Sequence, residues 1–196
     1  MPKYDIAFAK AKEVLDKLNY DPDKMIRTND IINVVEEMLN IDVKFKKQDF
    51  NNIKTQKNTQ KIFSNCGAIM YVDKTTNPVK AFIFLNEQES PEMVRFSLVH
   101  ELGHLMTRTL DSFENFEASM HINMDITSIS EELINKYSFL VEEQVANIFA
   151  LLVLIPYDSL VKAVLKFGTI KEVAKFFGVE EDAVISRLRL QERNNA

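Results

Sequence analysis

A single cysteine, Cys66, in 196 residues excludes an internal disulfide, and with it a small secreted scaffold built on disulfides. Histidine is nearly as scarce, with only His100, His104 and His121. No apolar run approaches the roughly 20 residues needed to cross a bilayer. The longest, residues 145–156, is interrupted by Asn147. The opening Met1-Pro2-Lys3-Tyr4-Asp5 leads into mixed polar and apolar sequence and not into the apolar centre of a secretory signal, so a cytoplasmic protein with no membrane partner is expected. Internal repeats and low-complexity tracts are missing too. Neither sign of charge dominates: 24 basic and 29 acidic side chains leave a net charge of −5, which offers no general attraction for a nucleic-acid backbone. What remains is 46% apolar and 27% charged residues, the balance of a globular protein. The length allows one domain, or a compact domain with a small appendage.

Apolar residues at helical spacing (Ile6, Ala7, Val14, Leu15 and Leu18) predict a helix over residues 2–18, broken by Asn19-Tyr20-Asp21-Pro22. A second helix is expected over residues 29–39, with Ile31, Val34, Val35 and Met38 on one stripe. Across residues 44–61 six lysines (44, 46, 47, 54, 57 and 61) stand against Asp49 among Asn, Gln and Thr. This segment reads as a solvated loop or sheet-edge segment and not as a nucleic-acid contact. Residues 67–72 and 81–85 are short apolar runs separated by turn residues, and read as an antiparallel pair of strands. Ser90-Pro91-Glu92 then supplies a capping hydroxyl, a proline at the first helical position and an acidic first turn, so the periodic run to Leu110 is a helix with a marked start. Residues 111–130 read as a surface loop. A further helix, from about Glu131 or Phe139, stops before Pro156, and helical stretches over about 158–167 and 169–190 complete the chain.

Within the helix that starts at Pro91 lies His100-Glu101-Leu102-Gly103-His104. Positions four apart share a helix face, so both imidazoles can reach one zinc ion at about 2.0–2.1 Å. Glu101 sits about 100° around the helix from His100. It can flank the metal without binding it and accept a proton from the attacking water. Gly103 costs about 1 kcal/mol of helix propensity relative to alanine, which points to another backbone or a substrate passing close by. Phe96, Leu98, Val99, Leu102 and Leu105 mark this helix as largely buried, and buried histidines need partners.

A third ligand must complete such a site. An extended metzincin motif would need glycine at 107 and histidine at 110, where Thr107 and Leu110 stand. His121, between Met120 and Ile122 in a polar stretch, reads as a surface side chain. The stronger candidate comes from the next apolar helix, whose core stripe is Val141, Val145, Ile148, Phe149 and Leu152. Glu143, Ala146, Asn147 and Ala150 share another face of it. The small alanines would let it pack closely on the first helix, Glu143 would point at the metal, and Asn147 could hydrogen-bond a ligand and hold it in place. Glu142 is the alternative ligand. For the oxyanion, Tyr71, Tyr137 and Tyr157 are equal candidates. Cys66, with no histidine near it in sequence, reads as packing. If the strand over residues 80–85 forms a sheet edge beside the site, it could hold an extended substrate by strand addition.

The run Arg95-Phe96-Ser97-Leu98-Val99-His100-Glu101-Leu102-Gly103-His104, followed by Glu143-x-x-Ala146-Asn147-x-Phe149-Ala150 and Leu151-Leu152-x-x-x-Pro156, resembles the ImmA/IrrE family of metallopeptidases. The likeness spans roughly residues 60–190 and takes in the strands leading through Phe84-Leu85-Asn86, which adds Asn86 as a candidate contact to a ligand or substrate. The resemblance implies a zinc-dependent, gluzincin-like peptidase of bacteria or their mobile elements. One zinc per chain would be held by His100, His104 and Glu143, with Glu101 as catalytic base. It also implies a protein substrate, a helix-turn-helix repressor of phage or stress-response genes.

Residues 169–190 also fit a helix-turn-helix pattern, with Ala174, Gly178 in the turn and Val184 packed behind it. The second helix opens on Glu180-Glu181-Asp182, which would repel phosphates, ahead of Arg187 and Arg189. Packing or partner docking is therefore expected over DNA contact. The rival function is a non-catalytic repressor or DNA-binding regulatory protein using that segment, and a pseudo-enzyme that only binds a repressor is a third possibility. The expected fold is α+β: mostly helical, with a small antiparallel sheet packed on the HExxH helix in a zincin-like, gluzincin-type domain (residues 1–157), and a C-terminal helix-turn-helix-like segment (158–196) packed on it.

Overall fold

The computed structural model describes residues 4–50, 67–108, 117–119 and 138–194. In chain order these form α1 (Asp5–Leu18), α2 (Thr28–Leu39), β1 (Ile41–Gln48), β2 (Ala68–Asp73), β3 (Val79–Asn86), α3 (Pro91–Thr107), β4 (Glu117–Ser119), α4 (Ser138–Leu154), α5 (Tyr157–Phe167), α6 (Ile170–Phe177) and α7 (Glu181–Asn194). Helix predominates among the described residues, as the periodicity predicts. Four of the stops are residues that tolerate left-handed backbone: Asn19 and Asn40 end α1 and α2, Gly168 ends α5 at φ 72° and Gly178 ends α6 at φ 62°. The start of α3 is the predicted one, with the Ser90 hydroxyl accepting from the Met93 amide at 3.1 Å and Pro91 in the first turn.

The sheet differs from expectation. Its four strands lie in the order β1-β3-β2-β4. The β2–β3 pair is antiparallel, with Asp73 opposite Lys80, and β4 adds antiparallel to β2. The sheet is mixed and not purely antiparallel, because β1 runs parallel to β3 from Ile41 opposite Val79 to Gln48 opposite Asn86. β2 turns back on β3 from one side, so β1 takes the other. That arrangement also overturns the idea of residues 80–85 as a sheet edge: β3 is an inner strand and has no free backbone edge to offer a substrate. Residues 41–48 realise the edge reading of the lysine-rich segment. Ile41 and Val43 are buried while Lys44, Lys46 and Lys47 are exposed, which is a common way to protect an edge strand. Lys54, Lys57 and Lys61 lie outside the described residues.

One sheet face carries Val43, Ala68, Met70, Val72, Ala81, Ile83 and Leu85 into a core that runs from Ala7 to Leu190. α3 packs on β2 and β3, and α4 packs on α3 and on α1. α4 is apolar nearly all round, which matches its central position. The C-terminal helices close over the end of α4. Arg187 is 2% exposed and its Nε donates to the Ile155 carbonyl at 3.0 Å. Ser90 also donates to the Glu180 carboxylate at 2.7 Å, tying the start of α3 to the α6–α7 turn. Among the described residues no single helix is long and apolar enough to cross a membrane.

Candidate metal centre

Every residue of α3 from Ser97 to Met106 is buried, and three of them can ionise: His100, Glu101 and His104. Burying such groups is costly unless each finds a partner. For the two histidines the partners come from α4. Gly103 is where the two helices meet: a Cβ on it would stand 3.0 Å from Phe149 Cδ1, 3.1 Å from the Ala146 carbonyl oxygen and 3.2 Å from Ala146 Cα. Glycine on one helix and alanine on the other thus let the backbones approach to contact, and the expectation of a close-passing backbone at Gly103 is met by α4.

That approach delivers Glu143 between the two imidazoles. His100 Nε2 lies 3.2 Å from Glu143 Oε2, His104 Nε2 lies 3.1 Å from Glu143 Oε1, and the two Nε2 atoms are 3.1 Å apart. One ligand atom from each residue falls within 4.8 Å of the others, and all three residues are buried. Burial alone would push the Glu143 carboxyl upward. Hydrogen bonds and charge from His100 and His104 outweigh it and bring it down to about 2.

This donor set fits a metal ion. Two imidazole nitrogens and a carboxylate converge on one point. Nitrogen and oxygen ligands in this combination suit zinc and its borderline-soft neighbours. Behind His100, Asn147 Oδ1 stands 2.8 Å from Nδ1. Glu101 is wholly buried on the same helix. Glu142, the alternative ligand, has a side chain 46% exposed that faces Arg108 Nη1 at 3.5 Å.

The remaining sequence candidates divide. Asn86 is 4% exposed at the end of β3, where its side chain accepts from the Gln88 amide at 3.1 Å and its carbonyl from the Glu89 amide at 3.3 Å, shaping the turn into α3. Tyr71 pairs across the sheet with Phe82, and Tyr157 opens α5 with its side chain half exposed. Tyr137, His121, Cys66 and Leu110 lie outside the described residues, as does most of the 111–130 stretch. Two polar contacts had no signal in the sequence. Tyr4 donates to Gln144, beside Glu143, across 140 positions of chain. Arg95 reaches back to the Ile26 carbonyl and the Thr28 hydroxyl, both at 2.6 Å, with burial pushing its guanidinium pKa down.

Comparison with known proteins adds one match. The peptidase family described as IrrE N-terminal-like domain matches residues 39–189, more than three quarters of the chain and all of α3 and α4. No curated protein matches the chain.

Proposed function

Since the chain belongs to the IrrE N-terminal-like family of peptidases, we propose that it is a zinc-dependent metallo-endopeptidase acting on a helix-turn-helix transcriptional repressor of a bacterium or phage. The observation that carries the reading is the convergence of His100, His104 and Glu143 within 4.8 Å inside a buried helix pair. A zinc ion held by those three side chains supplies Lewis acidity to the attacking water and to the scissile carbonyl. The chain's own part is the proton traffic. Glu101, one position along from His100, takes the proton of the attacking water and returns it to the departing amine. The buried surroundings exclude bulk water and strengthen each electrostatic contact. The repressor substrate is supported by the likeness of the 95–104 and 143–156 segments to the ImmA/IrrE family.

Glu101→Gln tests the catalytic role. The variant is expected to keep its metal and to lose cleavage of a co-expressed repressor by about a hundred- to ten-thousandfold. Cleavage is read by mass spectrometry of the products and metal by elemental analysis. A variant that cleaves like the wild type would overturn the assignment of Glu101, and a native protein free of metal would overturn the enzyme reading. The rival, DNA binding through α6 and α7, is disfavoured by Arg187. That arginine is turned inward on Ile155, so it is not available to a phosphate or a base edge. Absence of a gel shift with genomic fragments at low salt would remove that rival.

A further inference from the structure

The contact behind His100 says more than that a polar side chain has found a partner. Asn147 is one helical turn beyond Glu143 on α4, and the Gly103–Ala146 approach places its Oδ1 2.8 Å from His100 Nδ1. The other ring nitrogen of His100 faces Glu143 and His104 at 3.2 and 3.1 Å. The two nitrogens of a neutral imidazole cannot both carry the proton. If Nε2 is to present a lone pair to a cation, Nδ1 must be N–H, and only the amide oxygen of Asn147 can accept from it. The reverse arrangement, an Asn147 amide N–H donating to Nδ1, would put the proton on Nε2 and aim it at the place a cation would take. His104 has no equivalent support: its Nδ1 finds no hydrogen-bond partner among the described residues.

We infer that Asn147 is a positioning residue which fixes the tautomer and ring orientation of His100, making the centre asymmetric: His100 is also locked from behind, whereas His104 is held from its Nε2 side. This rests on the metal reading of the site. It commits the amide to one of its two orientations, with oxygen toward the ring, and that commitment can be tested by chemistry alone. Aspartate at 147 keeps an acceptor and cannot donate, leucine keeps the volume and does neither, and alanine removes the group.

The experiment compares wild type, Asn147→Asp, Asn147→Leu and Asn147→Ala as full-length chains. Zinc affinity is measured by chelator competition, and the visible absorption of the cobalt-substituted proteins reports ligand geometry. Thermal melts of the metal-free forms check folding. Leucine and alanine are expected to weaken zinc binding about ten- to hundredfold and to alter the cobalt spectrum. Aspartate is expected to restore affinity to the wild-type level or above, with a wild-type-like spectrum. Wild-type affinity in both the leucine and alanine variants would overturn the inference. So would an aspartate variant as weak as leucine, which would mean that the amide N–H faces the ring. A wild-type chain that binds neither zinc nor cobalt would overturn the metal reading itself, a separate failure visible before any variant is made.

Discussion

At the scale of single residues, the centre depends on buried groups whose cost is met by their neighbours. The Glu143 carboxyl is pushed up by burial but held down to about 2 by hydrogen bonds and charge from His100 and His104. A carboxyl whose folded-state pKa is depressed contributes stability that is fully present above its ordinary value, 4.5, and lost as pH falls from there toward 2. Wild type is therefore expected to lose more stability than Glu143→Gln when the metal-free protein is taken from pH 5 to pH 3, as read by urea unfolding at both. Equal losses would count against the pairing. Gly103→Ala tests the helix contact. The added methyl meets backbone atoms of Ala146 that cannot move aside, so overpacking of about 1–3 kcal/mol outweighs the gain of about 1 kcal/mol in helix propensity. A lower melting temperature and weaker metal binding are expected together.

At the scale of elements, legibility followed the strength of local signals. Ser90-Pro91 and the apolar period marked α3, and the five-residue motif placed two histidines on one of its faces. Glu143 was favoured over Glu142 because Ala146 and Ala150 share its face and predict a close helix neighbour; in the fold Glu143 joins the buried histidine pair while Glu142 faces Arg108. β1 was half legible. Ile41, Val43 and Phe45 alternate as a strand should, but Lys44, Lys46 and Lys47 swamp the pattern, and lysine on an edge strand looks like lysine in a loop. Its parallel pairing with β3 depends on which side of β3 is left open, which no local pattern encodes. Arg187 belongs at this scale too. Its sequence position does not say whether it packs or faces solvent; its Nε bonds the Ile155 carbonyl just past the end of α4 and its Nη1 lies 3.2 Å from Gln191. Arg187→Ala is expected to cost about 1.5–3 kcal/mol in chemical denaturation, the value of a charge-assisted hydrogen bond whose acceptor is left buried. A loss near zero would mean that α7 does not hold down the end of α4.

At the scale of the whole molecule, the core spans nearly the full chain, so binding at the α3–α4 contact should be felt in global stability. At an ion concentration of 100 times Kd the folded state gains about 2.7 kcal/mol, which for a chain of this size raises the melting temperature by roughly 5–10 °C. Scanning calorimetry with zinc and with a chelator measures it, and identical melts would exclude an ion at this place. The surface gives a contrasting case: Leu165, 83% exposed on α5, has little burial to lose. Leu165→Lys is expected to change stability by no more than about 0.5 kcal/mol.

The meeting of His104 and Glu143 also has a topological side. An ion bound to both would be a reversible crosslink between distant points of the chain, closing a loop of roughly 40 residues, worth about 4 kcal/mol in a chain-entropy account of the unfolded state. Loop-closure entropy grows only slowly with length, so doubling the connection would cost only about 0.6 kcal/mol more. Connection length is thus a weak lever on this contribution, whereas parting the two residues at its ends would remove it.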